Sequence, residues 1–98
     1  MILEHAILDI ASGQESDFEL AFSEASSIIS SMAGFGSLRL DRCVERPSRY
    51  LLLVEWRSIE DHVEGFRKSA EYERWRDLLH RFYEPFPVVE HFEPRVDI

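Results

Sequence analysis

The chain has 98 residues, 45% of them hydrophobic and 31% charged, with 19 acidic against 11 basic side chains and a net charge of −8. That length holds one domain, residues 1–98, with a single core, and so large an apolar share is not that of a disordered chain. The acidic balance argues against nucleic acid and against an anionic membrane surface as partners, since both demand a basic face.

Residues 2–10 (ILEHAILDI) are apolar and extended and read as a first strand. Ser12-Gly-Gln-Glu15 fits a capping box. After it Phe18, Ala21, Phe22, Ala25, Ile28, Ile29 and Met32 recur at helical spacing. Gly34 and Gly36 bracket the end of that helix. Residues 37–45 alternate, with Leu38, Leu40, Arg42 and Val44 on one side, and form the second strand. Pro47-Ser48 marks a turn, and residues 49–57 (RYLLLVEWR) make a third strand that is apolar on both faces. Ser58 caps a second helix, with Ile59, His62, Val63 and Phe66 on one face. Ser69 is a further cap, so the helix breaks there and restarts through Tyr72, Trp75, Leu78, Leu79 and Phe82. Pro85 and Pro87 end it, and residues 87–93 form the fourth strand.

The order is βαββαβ. Long, right-handed crossovers then give an α+β domain of ferredoxin-like topology: a four-stranded antiparallel sheet with both helices on one face. In strand three Tyr50, Leu52, Val54 and Trp56 point one way and Leu51, Leu53 and Glu55 the other. Strand one divides into Ile2, Ala6, Leu8 and Ile10 against Leu3, His5 and Ile7. Two helices cover only one face. A second copy of the same sheet is the simplest cover for the other, so the expected partner is an identical chain.

The lone Cys43 leaves no internal disulfide and suits a reducing compartment. No apolar run reaches transmembrane length, and Met1-Ile-Leu-Glu-His lacks the basic and long apolar regions of a signal peptide. A cytoplasmic protein is expected.

The stretch YLLLVEWRSIEDHVEGFRKSAEYERWRDLL (50–79), with the opening MILEHAIL and the ending VVEHFEP (88–94), resembles the antibiotic biosynthesis monooxygenase family over nearly the whole chain. The resemblance implies a dimeric α+β barrel with a substrate cavity between sheet and helices. Some members oxidise polycyclic aromatic or quinol substrates without metal or flavin, and others degrade haem. Trp56 matches the strand-three Trp of the aromatic-polyketide oxygenases, but the Asn they carry four residues earlier falls on Leu52. The Asn-Trp-His set of the haem degraders falls on Ala6, Phe66 and Arg76, and so is missing. One member's chemistry does not follow from the family label.

Residue by residue, the site-type readings each have an ordinary competitor. His62 lies on an apolar helix face; desolvated and neutral, it could take a phenolic proton, or simply be a core histidine. Trp56 could donate its indole N–H or stack on an aromatic substrate, or fill the core. Leu52, Val54, Phe66, Tyr72 and Trp75 would line the cavity, with Phe82, Tyr83 and Phe86 adding aromatic surface; stripes at helical spacing are ordinarily core. His5 and His91 each follow a Glu on strands expected to be neighbours, and their spacing forms no metal motif. His80 reads as a cation at a helix C-terminus. Arg67, Arg74, Arg76 and Arg81 read as a solvated face, and Cys43 as inert. With no G-x-G-x-x-G, P-loop or serine elbow, no bound flavin, nicotinamide or metal cofactor is expected.

Two functions follow from these readings. One is a cofactor-independent monooxygenase on a small aromatic or quinol-like molecule, with His62 as base and Trp56 as positioning group. The other is a non-catalytic dimeric barrel that binds or senses a small apolar ligand.

Overall fold

A computed structural model describes residues 1–97. Four strands, β1 (Ile2–Asp9), β2 (Phe35–Arg42), β3 (Arg49–Trp56) and β4 (Val89–Phe92), form one antiparallel sheet in the order β2-β3-β1-β4. Helices α1 (Glu15–Ile29) and α2 (Ala70–Leu79) pack together on one face of it. This is the ferredoxin-like α+β architecture expected from the element order.

The period-2 pattern sorts the two faces as the sequence required. Ala6, Leu8 and Ile10 of the first strand region and Tyr50, Leu52, Val54 and Trp56 of β3 are buried under the helices. Phe18, Ala21, Phe22, Ala25 and Ile29 of α1, with Trp75 and Leu79 of α2, close the core. Phe18 lies edge-on or tilted against Phe22, Tyr50 and Phe82, and Phe22 meets Trp75. Leu3, His5, Leu51 and Leu53 on the opposite face are only half-buried, and Ile7 and Phe92 are exposed there.

Three local expectations need correction. Ser12 does not cap α1: Gln14 holds that position without a side-chain bond. Gly13 adopts a left-handed φ of +88° in a tight turn, and Glu15 reaches back to the Gly13 amide and across to the Ser48 hydroxyl. Strand β2 begins two residues early, at Phe35, because its register shifts between Phe35 and Ser37 and Gly36 is absorbed into the sheet. A Cβ at Gly36 would come within 3.1 Å of the Glu55 carbonyl. It also ends early, so that Val44 is exposed. Strand β4 is short because Pro87 carries no amide for the ladder.

The second helical region breaks where the sequence places the break. The Ser58 hydroxyl accepts from the Asp61 amide at 3.2 Å, and the Ser69 hydroxyl accepts from the Tyr72 amide at 3.1 Å. Its first half, Asp61–Phe66, is however a π-helix rather than an α-helix. The Arg67 amide bonds to the His62 carbonyl at 3.0 Å, five residues back. Such wide turns are rare and recur at functional sites. Gly34, at φ +84°, lets the start of β2 lie against this turn; a side chain there would collide with the Asp61 carboxylate. Among the described residues no helix is long and apolar enough to cross a membrane.

Candidate active site

The sheet and the second helical region border a half-open cavity of about 380 Å³. That is within the range of small-molecule sites. Ala6, Leu8, Leu52, Phe66, Trp75 and Val89 form apolar wall; Glu4, His62, Arg67, Tyr72, His80 and Tyr83 supply polar groups. Phe86 and Pro87 complete the rim.

Glu4 is the residue the sequence reading passed over. It stands between Ile2 and Ala6 on the buried face of β1 and is 5% exposed. A carboxylate this dry needs donors. The Trp56 indole N–H supplies one, donating to Glu4 Oε1 at 2.9 Å. His62 Nε2 approaches the same oxygen at 3.3 Å. Burial raises the Glu4 carboxyl above its ordinary pKa; the Trp56 hydrogen bond and the charge of Arg67 partly offset the rise.

His62 is 3% exposed. Its ring stacks on Trp56, 5.3 Å between centroids and 14° between planes. Its Nδ1 lies 2.7 Å from Nε2 of His91. Burial first, then the charge of Arg67 and the neighbouring His91, push the imidazole down to about 3. His62 is therefore neutral at physiological pH, and its approach to Glu4 is not a salt bridge between full charges. His91 is also lowered, by burial and then by Arg67. If Glu4 is ionised, one assignment of protons satisfies the chain: His91 Nε2–H donates to His62 Nδ1, leaving His62 Nε2–H to face the carboxylate.

The β1–β4 register explains why these groups meet. Glu4 pairs with His91, so both project to the helix face; His5 pairs with Glu90 and projects to the other. The two strand histidines thus lie on opposite sides of the sheet, with His5 edge-on to Phe92 at 5.5 Å. Among the described residues no three His, Cys, Asp or Glu side chains converge as metal ligands.

Of the expected site residues, His62, Leu52, Phe66, Tyr72 and Trp75 line the cavity. Val54 and Trp56 do not: each is fully buried. Trp56 pairs with Ile2 at the end of its strand and is roofed by His62, Phe66 and Phe35. Its N–H is turned to Glu4, not to the cavity. His80 is a wall residue against Tyr72, Tyr83 and Phe86, and burial lowers its pKa, which argues against its reading as a helix-end cation. Arg67 also lines the cavity instead of joining a solvated face.

Fold and site together define a ferredoxin-like α+β domain with an apolar cavity and a buried carboxylate beside a neutral histidine. The particular family is settled by comparison: the profile of the antibiotic biosynthesis monooxygenase family matches residues 1–78, and the chain belongs to that family. It is 55% identical over 93 residues to the uncharacterized protein YczJ of Bacillus subtilis, covering 95% of this chain and 98% of that one. A structure from Bordetella bronchiseptica that bears the family's name superposes with a TM-score of 0.92 at 32% identity, covering 97% of each chain. SnoaB, a cofactor-independent oxygenase from Streptomyces nogalater, shares the fold with a TM-score of 0.86 at 13% identity, over 99% of this chain and 95% of that one.

Proposed function

We propose that the protein is a cofactor-independent monooxygenase acting on a small aromatic or quinol-like molecule. The observation that carries this reading is the buried Glu4 carboxyl, raised by burial, facing an apolar cavity beside a neutral His62. Family membership supports the reaction class.

The base is the Glu4–His62 pair rather than an isolated imidazole. An imidazole held down to about 3 is a weak acceptor for a phenolic proton, whose ordinary pKa is about 10. A carboxylate made more basic by burial is a better one. Glu4 takes the proton; His62, fixed by His91 and by stacking on Trp56, steadies the carboxylate. Trp56 is a positioning residue, acting through Glu4.

The deprotonated substrate passes electrons to O₂. One oxygen atom enters the ring system, as a carbonyl where an anthrone-like ring has a methylene, or as a hydroxyl in place of a ring hydrogen while a hydroquinone is oxidised to the quinone, and the other leaves as water. That balance needs no external reductant. The walls contribute desolvation and orientation.

A second reading is retained, a non-catalytic barrel that binds or senses an apolar ligand. It is favoured by Leu52, an apolar wall residue where the polyketide oxygenases resembled here carry Asn. In either reading we infer a homodimer joined through the sheet face of Ile7, Leu51 and Leu53. It is supported by half-buried Leu51 and Leu53 and exposed Ile7, which no described element covers.

The test is O₂ uptake by chelator-treated, flavin-free protein offered hydroquinones and anthrone-like phenols. Glu4→Gln should lower the rate roughly a hundredfold or more. Activity that vanishes on chelation and returns with iron would refute the mechanism. Binding without O₂ uptake would favour the second reading.

A further inference from the structure

Acids outnumber bases 19 to 11, and Arg39, Arg42, Arg49, Arg57, Lys68, Arg76 and Arg95 each lie within 4 Å of an acid. Arg46, Arg74 and Arg81 do not, but all three are exposed. Among the described residues Arg67 has no such partner, yet it is half-buried and lines the cavity. A guanidinium in that position has donors to spare, and because no buried side-chain nitrogen or oxygen among the described residues lacks a partner, those donors are open to whatever enters the cavity.

The backbone puts it there. In an α-helix, residues five apart face roughly 140° away from each other. Here the π turn bonds the Arg67 amide to the His62 carbonyl, so Arg67 sits one wide turn beyond His62 and both reach the same cavity. The charge of Arg67 acts on Glu4, His62, His91 and Tyr72 alike, which places it centrally among the polar groups. With His62 neutral, Arg67 is the standing positive charge of the cavity wall. A net charge of −8 repels anions from the molecule as a whole. A dedicated cation in the cavity is what admitting an anion would require.

We propose that Arg67 is an anion-recognition residue, and that the ligand of this cavity is a hydroxyaromatic acid whose carboxylate pairs with Arg67 while its hydroxyl faces Glu4. The inference rests on the cavity being the ligand site and names the class of ligand it takes. Guanidinium matches a carboxylate through two parallel hydrogen bonds, which fixes orientation as well as affinity.

The experiment is calorimetric titration of the intact protein with 3-hydroxy-2-naphthoate and with 2-naphthol, its uncharged counterpart. The carboxylate should bind at least about tenfold more tightly. Arg67→Gln should abolish that advantage, with circular dichroism and a thermal melt showing that the variant is folded. Arg67→Lys should recover part of it. Equal binding of the two ligands by the unmodified protein would overturn the role of Arg67 and leave the cavity as an apolar site. So would an advantage that persists in Arg67→Gln. Failure of both ligands to bind would remove the cavity reading itself, and this inference with it.

Discussion

The Trp56 indole donates to the Glu4 carboxylate at 2.9 Å, joining residues 52 positions apart in the chain. Strands β1 and β3 are antiparallel neighbours, with Glu4 opposite Val54 and Ile2 opposite Trp56. The bond is thus a diagonal contact on the buried face. It couples the residue that best matches the family, Trp56, to one the family resemblance did not single out.

Trp56→Phe tests that coupling. The ring remains and the N–H is lost. A hydrogen bond to the charged form lowers a carboxyl pKa, so its loss raises Glu4 further. The alkaline-rising limb of the pH–rate profile should therefore move to higher pH. Stability should fall by about 1–3 kcal/mol, the cost of an under-satisfied buried acceptor. Rate profiles and urea melts check both.

Acid sensitivity should centre on His62. Its folded pKa, about 3, lies below the unfolded value of 6.5, so the stability it contributes is complete above pH 6.5 and is lost as pH falls towards 3. A single such proton gives a slope of roughly 1.4 kcal/mol per pH unit in that window. Glu4, raised above 4.5, works the other way: its contribution is present at low pH and is lost as pH rises through its folded pKa. Urea melts between pH 7 and pH 4 should show His62→Asn less acid-sensitive than the unmodified protein, and Glu4→Gln more so.

The dimer has a test of its own. An interface through Ile7, Leu51 and Leu53 should bury about 2,000 Å² or more in total. Light scattering should find two chains per particle at micromolar concentration; a stable monomer would refute the interface. Leu51→Asp should aggregate or unfold, because it puts an unpaired charge in a buried layer.

Fold and site were not equally legible in the sequence. Helical spacing in residues 18–29 reports one face directly, and the period of two divides residues 49–57, apolar on both sides, into a helix-covered face and a second apolar face, so the sheet, α1 and the core are legible from periodicity. The breaks at Ser58 and Ser69 carry the hydroxyls that cap them. The site depends on what lies across strands and turns. Glu4 did leave a signal, an acid at a buried-parity position between Ile2 and Ala6, but its partner Trp56 is identified only by register. His91 reaches His62 because β4 pairs with β1 at Glu4, and nothing local in residues 88–94 encodes that pairing. Arg67 reads as part of a solvated face because the arginines of its stretch alternate with acids; the π turn, which that charge pattern does not announce, brings it to the cavity.

The last prediction concerns whether Glu4 and His62 act as one base. Glu4 Oε1 and His62 Nε2 are 3.3 Å apart, and both side chains are nearly dry. If Glu4 alone carried the chemistry, His62→Ala would cost little, and its effect would add to that of Glu4→Gln. If the two work as a unit, each substitution should cost roughly a hundredfold or more, and the double variant should be no worse than the poorer single one. Residues that act together are strongly non-additive, because the second loss removes an interaction that has already gone. The cycle is read as rates with one hydroquinone at saturating O₂, with circular dichroism and urea melts as the check that each variant is folded. Additive losses would separate the two residues. They would leave Glu4 as the base and reduce His62 to a buried packing group on Trp56.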